Sequence, residues 1–245
     1  MSSLLVEERA DRLVVTLNRP ERRNAIDAEM VGELHEVCAR LERDPRLLLL
    51  TGGADGVFAG GADIAQLRER GKHDALAAIN QGLLARIRAL PLPSLAAVDG
   101  PALGGGAELA YACDLRICTD RAFFGQPEVR LGIIAGAGAT YRLPRLVGEG
   151  LAKELLFTGR RMRPDEALAV RLVNRVVPPE RLLDAGHEML DEIAKGSMLA
   201  LRLTKLAVDA PDGAHPHLEL AAQAVLFEDE EKRRRMTDFL ERRRR

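Results

Sequence analysis

Short runs of apolar and β-branched residues recur along the first hundred positions of the chain, at residues 4–6, 13–17, 47–50 and 95–98. A polar turn at residues 10–12 separates the first two runs, and Gly52-Gly53 follows the third. Runs of this length between turn-forming residues are typical of β-strands. The pattern therefore predicts four strands in this part of the chain.

Apolar residues spaced three or four positions apart lie between these strands and predict two helices. The first is expected to begin after the N-cap candidate Asp27 and to end near Pro45, with apolar positions at Val31, Leu34, Cys38 and Leu41. The second is expected to end before Pro91, with apolar positions at Leu76, Ile79, Leu83, Ile87 and Leu90. A third helix is expected after the strand at 95–98 and a glycine-rich turn, reaching Cys113. Strand, turn and helix repeat in order, which predicts an α/β layered core.

The last third of the sequence keeps only the helical spacing. Beyond Pro179 the apolar residues recur at intervals of three or four, and no further strand is predicted. We expect a helical region that begins between residues 180 and 196, which divides the chain into a core of residues 1–195 and a helical region of residues 196–245. Helices appended to a complete core usually pack against another surface, so oligomerisation is expected.

Composition and charge exclude several classes of protein. The chain has 245 residues, enough for a sizeable core, and its 47% hydrophobic and 30% charged residues are typical of soluble globular proteins. A formal net charge of −1 provides no overall field for nucleic acid or membrane. No apolar run is long enough to span a bilayer, and the first eleven residues lack the apolar stretch of a signal peptide. We therefore expect a soluble, cytoplasmic protein.

The cysteines and histidines indicate neither a disulfide scaffold nor a metal site. The three cysteines, Cys38, Cys113 and Cys118, are odd in number and unpaired in spacing, which favours reduced thiols in the cytoplasm. The five histidines are scattered without the spacing of metal ligands, so no metal is expected.

Two glycine-rich turns, at residues 60–64 and 103–108, each lead into residues with helical character. Glycine lets another group approach the backbone closely, and a helix that begins there can hold developing negative charge. Neither turn has the spacing of a dinucleotide-binding motif or of a phosphate-binding P-loop. Taken singly, each turn is more often structural than functional.

Two glutamates stand out near these turns. Glu108 lies one turn into an otherwise small and apolar helix, where an ionised carboxylate is costly unless it is paired or used. A structural alternative is that Glu108 caps the amides of its own first turn. Glu128, taken alone, is expected to be an exposed loop acid. Taken together, two carboxylates and two amide-rich turns predict an acid–base site beside an oxyanion hole. The four serines and the cysteines suggest no nucleophile with a partner base.

The motifs resemble those of one known family in order and spacing. Residues 61–64, 102–110, 124–128 and 131–134 resemble the central motifs of the crotonase (enoyl-CoA hydratase/isomerase) family. Asn18-Arg19-Pro20, before Asn24-Ala25, resembles its N-terminal signature, and residues 239–242 resemble its C-terminal one. The resemblance covers essentially the whole chain, and the ordered set is far more specific than any one motif.

The resemblance implies an α/β fold, a crotonase-like spiral of ββα units with a C-terminal helical trimerisation region. The protein is then expected to be a homotrimer or a dimer of trimers. It also implies that the amides of Ala62 and Gly105 form the oxyanion hole for a thioester carbonyl, and that Glu108 and Glu128 are the two glutamates of the hydratase subgroup. The substrate implied is a trans-2-enoyl-CoA thioester. No metal or redox cofactor is implied, because coenzyme A is part of the substrate.

The same resemblance suggests where the acyl-CoA is held. The predicted contacts are Arg22, Arg23, Asp63, Ile64, Gly136, Phe239 and Arg242. The basic C-terminus therefore has two interpretations, a solvated helix end or a phosphate contact.

The sequence departs from the family pattern at several positions. Ala65 stands where a lysine that helps to hold a CoA phosphate is common, so Arg22 or Arg23 is expected to substitute for it. Ala135, Ala139 and Tyr141 replace a frequent proline, glycine and glutamine, and Tyr141 is expected to reshape the acyl pocket. Arg163 stands where a serine or threonine often caps the helix that begins at Pro164.

Other functions remain open at this level. One is another crotonase reaction, such as moving a 3-enoyl double bond to position 2, which needs one base and no bound water. Another is a non-catalytic acyl-CoA-binding protein, which retention of both glutamates disfavours. Nucleic-acid binding is disfavoured because the basic tail is short and has no aromatic platform beside it.

Overall fold

The computed structural model describes residues 2–53 and 56–243. The chain divides into two compact units, one that runs to Leu190 and one that begins at Asp191. All strands among the described residues belong to the first unit. They are β1 Leu4–Glu8, β2 Arg12–Leu17, β3 Leu47–Thr51, β4 Ser94–Val98, β5 Pro101–Leu103, β6 Leu115–Thr119, β7 Phe123–Gly125, β8 Arg161–Met162 and β9 Arg175–Val177.

The larger sheet has the order β1-β2-β3-β4-β6-β9. Strands β1 and β2 form an antiparallel hairpin, and all the other pairs in this sheet are parallel. Every residue of β3 and β4 is buried. This explains why their sequences are continuous apolar runs, since a parallel strand covered on both faces has no solvent side. All four predicted strands are confirmed.

A smaller sheet lies beyond the ends of the central strands. Its order is β5-β7-β8, with β5 and β7 parallel and β7 and β8 antiparallel. Strand β5 follows β4 after two residues, and β7 follows β6 after three. Strands β4 and β5 with the next helix, α5, therefore form a ββα unit of the kind that was predicted.

Helices lie between and after these strands along the chain. In the first unit they are α1 Ala28–Arg43, α2 Ile64–Glu69, α3 Lys72–Leu76, α4 Ile79–Arg88, α5 Gly105–Ala112, α6 Ala139–Val147, α7 Glu149–Thr158 and α8 Pro164–Ala169, with α9 Leu182–Ala194 running across the boundary. Asp27 caps α1 as predicted, since its carboxylate accepts a hydrogen bond from Met30 N at 2.9 Å. Helix α8 begins at Pro164, and the Arg163 side chain makes no capping hydrogen bond there.

The second predicted helix is wrong as a single element. It is divided into α3 and α4 because Ala78 has a left-handed backbone, with φ of 53°. Leu76 lies before this break and is 82% exposed, whereas Leu83 and Ile87 of α4 are buried. The sequence at the break contains no glycine or proline, so apolar spacing alone could not show it.

Arg116 on β6 is a fully buried cation that stabilises the end of α5. Its guanidinium donates to the carbonyl oxygens of Cys113 and Leu172, both at 2.7 Å, and to that of Ala110 at 3.3 Å. Carbonyls at a helix C-terminus lack partners within the helix, and a cation suits that end of the dipole. The side chains of Cys38, Cys113 and Cys118 are buried, and none of the three forms a disulfide bond.

The second unit consists of helices. Besides the end of α9 they are α10 Met198–Asp209, α11 His217–Glu228 and α12 Glu230–Arg242. Many of its large apolar side chains are more than half exposed in the single chain, namely Leu206, Val208, Leu220, Val225, Phe227, Met236, Phe239 and Leu240. An exposed apolar surface of this extent is typical of an interaction site. Among the described residues, no helix has the length and apolar character needed to cross a membrane.

Candidate active site

The backbone amides of Ala62 and Gly105 belong to separate turns of the first unit, and the structure brings these turns close together. Ile26 N donates to Gly61 O at 2.8 Å, and Asp63 N donates to Ile26 O at 3.1 Å. Since extended backbone alternates its polar groups, the N–H of Ala62 between them points to the opposite side. A β-carbon placed on Gly105 would lie 3.5 Å from Ala62 N, so the two residues predicted to form the oxyanion hole are neighbours.

This approach of the two turns depends on glycine at two positions. Gly61 has φ of 114°, and a β-carbon there would lie 3.1 Å from Leu103 O. Gly104 has φ of 51°, and a β-carbon there would lie 2.8 Å from the Glu128 Oε1 atom. Positive φ disfavours any residue with a side chain, and a β-carbon at either position would also crowd its neighbour. The glycines therefore favour the close approach of the amides and Glu128.

Glu108 is buried, at 4% exposed, in the first turn of α5. Its Oε1 atom accepts hydrogen bonds from Ala137 N and Ala139 N, both at 2.9 Å. The interpretation that Glu108 caps its own helix is therefore wrong, because its partners are at the N-terminus of α6. Burial raises the pKa of Glu108, and the amides at residues 137–139 oppose that effect by stabilising the ionised form.

Glu128 begins a short 3₁₀ helix, Glu128–Leu131, and is only 9% exposed. The expectation of an exposed loop acid is therefore wrong. Burial is the main reason that the pKa of Glu128 is raised to about 7, and the nearby negative charge of Glu108 adds to it. Two close carboxyl groups in a buried site do not both ionise readily, so one proton is retained by the pair near neutral pH.

Gln126 lies beside Glu128. It belongs to the motif at residues 124–128, but the sequence predicted no role for it. It is 1% exposed, and its side-chain amide nitrogen, turned toward Glu128, lies 3.0 and 3.1 Å from the two carboxylate oxygens. The amide can therefore donate to both oxygens of the ionised carboxylate.

The two glutamates and the two residues with the neighbouring amides line one cavity of about 510 Å³. Of the predicted site residues, the structure brings five to its wall: Ala62, Gly105, Glu108, Glu128 and Gly136. The rest of the wall was not predicted as a pocket and comes from the segment of α2 to α4 and from Ile133, Ile134 and Ala137. Apolar spacing identified these segments as helical, but it could not show which faces enclose a cavity. Tyr141, Glu108 and Ala137 are among the residues that line a separate, much smaller cavity.

The other predicted contacts lie outside this wall. Asp63 caps α2, since its carboxylate accepts from Gln66 N at 3.0 Å, and Ile64 is exposed as the first residue of that helix. Arg22 and Arg23 are exposed, and Arg23 O accepts from Gly60 N at 2.8 Å, which places it beside the first glycine turn. Phe239 and Arg242 are exposed on α12 of the second unit.

We expect Glu128→Gln to stabilise the protein more at pH 8 than at pH 5. The pKa of Glu128 is raised from its ordinary 4.5 to about 7, so folding favours its protonated form. That contribution is present below pH 4.5 and is lost as the pH rises through 7, whereas glutamine stays neutral throughout. At pH 8 the substitution should add roughly 1–2 kcal/mol to the free energy of unfolding. Thermal unfolding midpoints at both pH values measure this, with the exposed Glu69→Gln as control. An equal midpoint change at pH 5 and pH 8 would contradict the raised pKa.

Known proteins resemble this chain along nearly its whole length. A family model described as enoyl-CoA hydratase/isomerase matches residues 7–245. The short-chain-enoyl-CoA hydratase of Clostridium acetobutylicum is 37% identical over 99% of this chain and 96% of its own length. The crotonyl-CoA hydratase of Syntrophomonas wolfei is 39% identical over 98% of this chain and 96% of its own length.

A solved structure extends the likeness to three dimensions. The crystal structure of an enoyl-CoA hydratase from Bacillus anthracis superposes with a TM-score of 0.92 at 31% identity and covers 98% of this chain and 96% of its own. This confirms the predicted crotonase-like α/β fold with its C-terminal helices. The match of the family model over nearly the whole sequence, and the relatives that span it at more than 30% identity, show that the chain belongs to the enoyl-CoA hydratase/isomerase (crotonase) family.

Proposed function

We propose that this protein is an enoyl-CoA hydratase that adds water across the double bond of trans-2-enoyl-CoA thioesters to give 3-hydroxyacyl-CoA. The observation that carries the proposal is the presence of two buried carboxyl groups, both with raised pKa, beside two neighbouring backbone amides in one cavity. The relatives named as hydratases of short-chain enoyl-CoA and of crotonyl-CoA support the same reaction.

The amides of Ala62 and Gly105 would bind the thioester carbonyl oxygen. An α,β-unsaturated thioester becomes electrophilic at C3 when its carbonyl is polarised, and negative charge collects on that oxygen in the enolate-like transition state. Gly105 is the first residue of α5, so the positive end of the helix dipole adds to the two N–H donors. Binding that strengthens as charge develops lowers the barrier instead of only tightening the ground state.

The two glutamates would move the two protons. Ionised Glu108 takes a proton from water as the water oxygen bonds to C3, and protonated Glu128 gives its proton to C2. The amides of Ala137 and Ala139 favour the ionised form of Glu108, and a pKa of about 7 keeps much of Glu128 protonated near neutral pH. After addition Glu108 is protonated and Glu128 ionised, and proton exchange with solvent restores the pair. Because the groups are coupled, the pair titrates as a unit.

We infer that coenzyme A is held as part of the substrate, with no separate cofactor. Arg23 lies beside the glycine turn that carries Ala62, so Arg22 and Arg23 remain the candidates for the phosphate contact that Ala65 cannot make. The exposed apolar residues of α10 to α12 support assembly into a homotrimer or a dimer of trimers. The three cysteines, none of which forms a disulfide bond, support a cytoplasmic location.

Arg242→Ala is expected to raise KM for an enoyl-CoA roughly five- to thirtyfold, equivalent to about 1–2 kcal/mol of binding. The diphosphate and 3′-phosphate of coenzyme A favour arginine, and the resemblance places Arg242 at the CoA site of a neighbouring subunit. The effect should shrink at high salt. Steady-state kinetics at two salt concentrations measure it.

Arg233→Ala is the matched control. Arg233 is exposed on the same helix, about two and a half turns before Arg242, and so lies on the opposite face. Arg244 and Arg245 lie outside the described residues and beyond the motif, and their substitution should cost far less than that of Arg242. Equal and negligible changes of KM in all four variants would show that the basic tail is a solvated helix end and makes no contact with the CoA phosphates.

The proposed activity is tested with purified protein and a panel of trans-2-enoyl-CoA thioesters of increasing chain length, followed by loss of enone absorbance. We expect hydration of at least the short-chain members, with Tyr141 affecting the longest chain accepted. Conversion of 3-enoyl-CoA to 2-enoyl-CoA without hydration would favour isomerisation instead. Binding of the thioesters without any turnover would indicate an acyl-CoA-binding protein.

A further inference from the structure

Tyr111 is a buried polar residue that the proposed mechanism does not use. It lies three residues after Glu108 on α5 and therefore on the same face of that helix. It is 2% exposed, and its ring packs nearly parallel to that of Phe124, with centroids 6.3 Å apart. The side-chain amide of Gln126 lies within hydrogen-bonding reach of its hydroxyl. A buried hydroxyl needs a partner, and here the partner is the residue that contacts Glu128.

Gln126 lies between the Tyr111 hydroxyl and the Glu128 carboxyl. Burial raises the pKa of Tyr111 above its ordinary value. The hydroxyl therefore keeps its proton and can donate a hydrogen bond. With the amide nitrogen turned toward Glu128, the amide oxygen can accept from Tyr111. The amide nitrogen then lies 3.0 and 3.1 Å from the two oxygens of Glu128. In this orientation the hydroxyl, the amide and an ionised carboxylate all have suitable partners.

We propose that Tyr111 is a positioning residue that acts through Gln126, holding the amide with its nitrogen toward Glu128 and thereby setting the orientation and the proton affinity of that carboxyl. Without the tyrosine hydroxyl, the Gln126 amide could turn over. Its oxygen would then accept a hydrogen bond from protonated Glu128. The hydroxyl therefore favours the ionised carboxylate and opposes the effect of burial.

The charges that face Glu128 from other elements do not substitute for this contact. Glu108 on α5 raises the pKa of Glu128, and the Glu128 backbone amide lowers it. Arg70 and Asp74 line the same cavity from the segment of α2 and α3 and carry opposite charges. Arg116 lies near Tyr111 and donates to backbone carbonyls. Among the described residues, the side chain that offers hydrogen-bond donors to Glu128 is that of Gln126.

The inference rests on the proposed function for its catalytic meaning, but its test does not require turnover. In the full-length protein, the carboxyl C=O stretching band of Glu128 can be titrated by infrared spectroscopy and assigned by its loss in Glu128→Gln. Tyr111→Phe removes only the hydroxyl and keeps the ring against Phe124. We expect this substitution to raise the titration midpoint of Glu128 by about one pH unit. The alkaline limb of kcat/KM should move upward by the same amount.

A double-mutant cycle separates this role from a merely structural one. If Tyr111 acts through Gln126, then Tyr111→Phe should have no further effect on the Glu128 midpoint in a Gln126→Leu background. The matched control is Tyr141→Phe, which removes the only other tyrosine hydroxyl, one that lies near Gly138, and should leave the midpoint in place.

An unchanged or lower midpoint in Tyr111→Phe, or an equal additional shift in the double mutant, would overturn the inference. Absence of enoyl-CoA hydration by the unsubstituted protein would instead overturn the proposed function, since the infrared titration stands without it.

Discussion

Glu108→Gln and Glu128→Gln are each expected to lower kcat roughly 10²–10⁴-fold and to leave KM nearly unchanged. Each carboxyl group handles a different proton of one addition, so neither can replace the other. Glutamine keeps the size of glutamate, and in Glu108→Gln the amide oxygen can still accept from Ala137 N and Ala139 N. The loss should therefore come from proton transfer and not from collapse of the site.

The two active-site variants need a control that removes a carboxylate outside the cavity. Glu69→Gln serves, because Glu69 is exposed at the end of α2 and pairs with Arg68. Its kcat should stay within a factor of about two of the unsubstituted protein, since surface substitutions rarely matter. If either active-site variant kept near-normal hydration, the mechanism with two carboxylates would be wrong for this protein.

Removal of residues 197–245 is expected to leave an insoluble or unstable core without activity. These residues comprise α10 to α12, whose large apolar side chains are exposed in the single chain. The proposed assembly covers such faces between subunits, and its loss would take away stabilisation that a monomer cannot supply. The soluble fraction, and light scattering of whatever remains soluble, measure the outcome.

Removal of residues 243–245 alone is the matched control, because it shortens the chain after α12 and leaves every described helix intact. The unshortened protein is expected to have three or six times the chain mass of 26.8 kDa. A soluble, monodisperse and active monomer after the longer deletion would show that the C-terminal helices are not needed for assembly.

The sequence predicted those parts of the fold that depend on neighbours in the chain. The buried strands β3 and β4 are continuous apolar runs, and Asp27 caps the helix that follows it. The smaller sheet was not predicted because β5, β7 and β8 have only two or three residues each, too few to show a period. Its strands exist because they pair with one another.

The sequence likewise predicted only those parts of the site that local residue types reveal. The glycine turns and the two glutamates were found because their residue types are unusual at those positions. The partners of Glu108 could not be found, since Ala137 and Ala139 lie 29 and 31 residues away and act through their backbone amides. Burial raises the pKa of Glu128 and so suits it to donate a proton, and burial depends on tertiary packing that no local pattern shows. Gln126 and Tyr111 gain their interest only from that packing.

Hydration itself is the central claim, and the mass of the product tests it most directly. Purified protein is incubated with crotonyl-CoA, the four-carbon trans-2-enoyl thioester, and the product is identified by mass spectrometry. The account predicts a thioester heavier by one water molecule, formed with loss of the enone absorbance, and formed far more slowly by Glu108→Gln and Glu128→Gln. An unchanged mass with the unsubstituted protein, or equal rates in all three proteins, would contradict it.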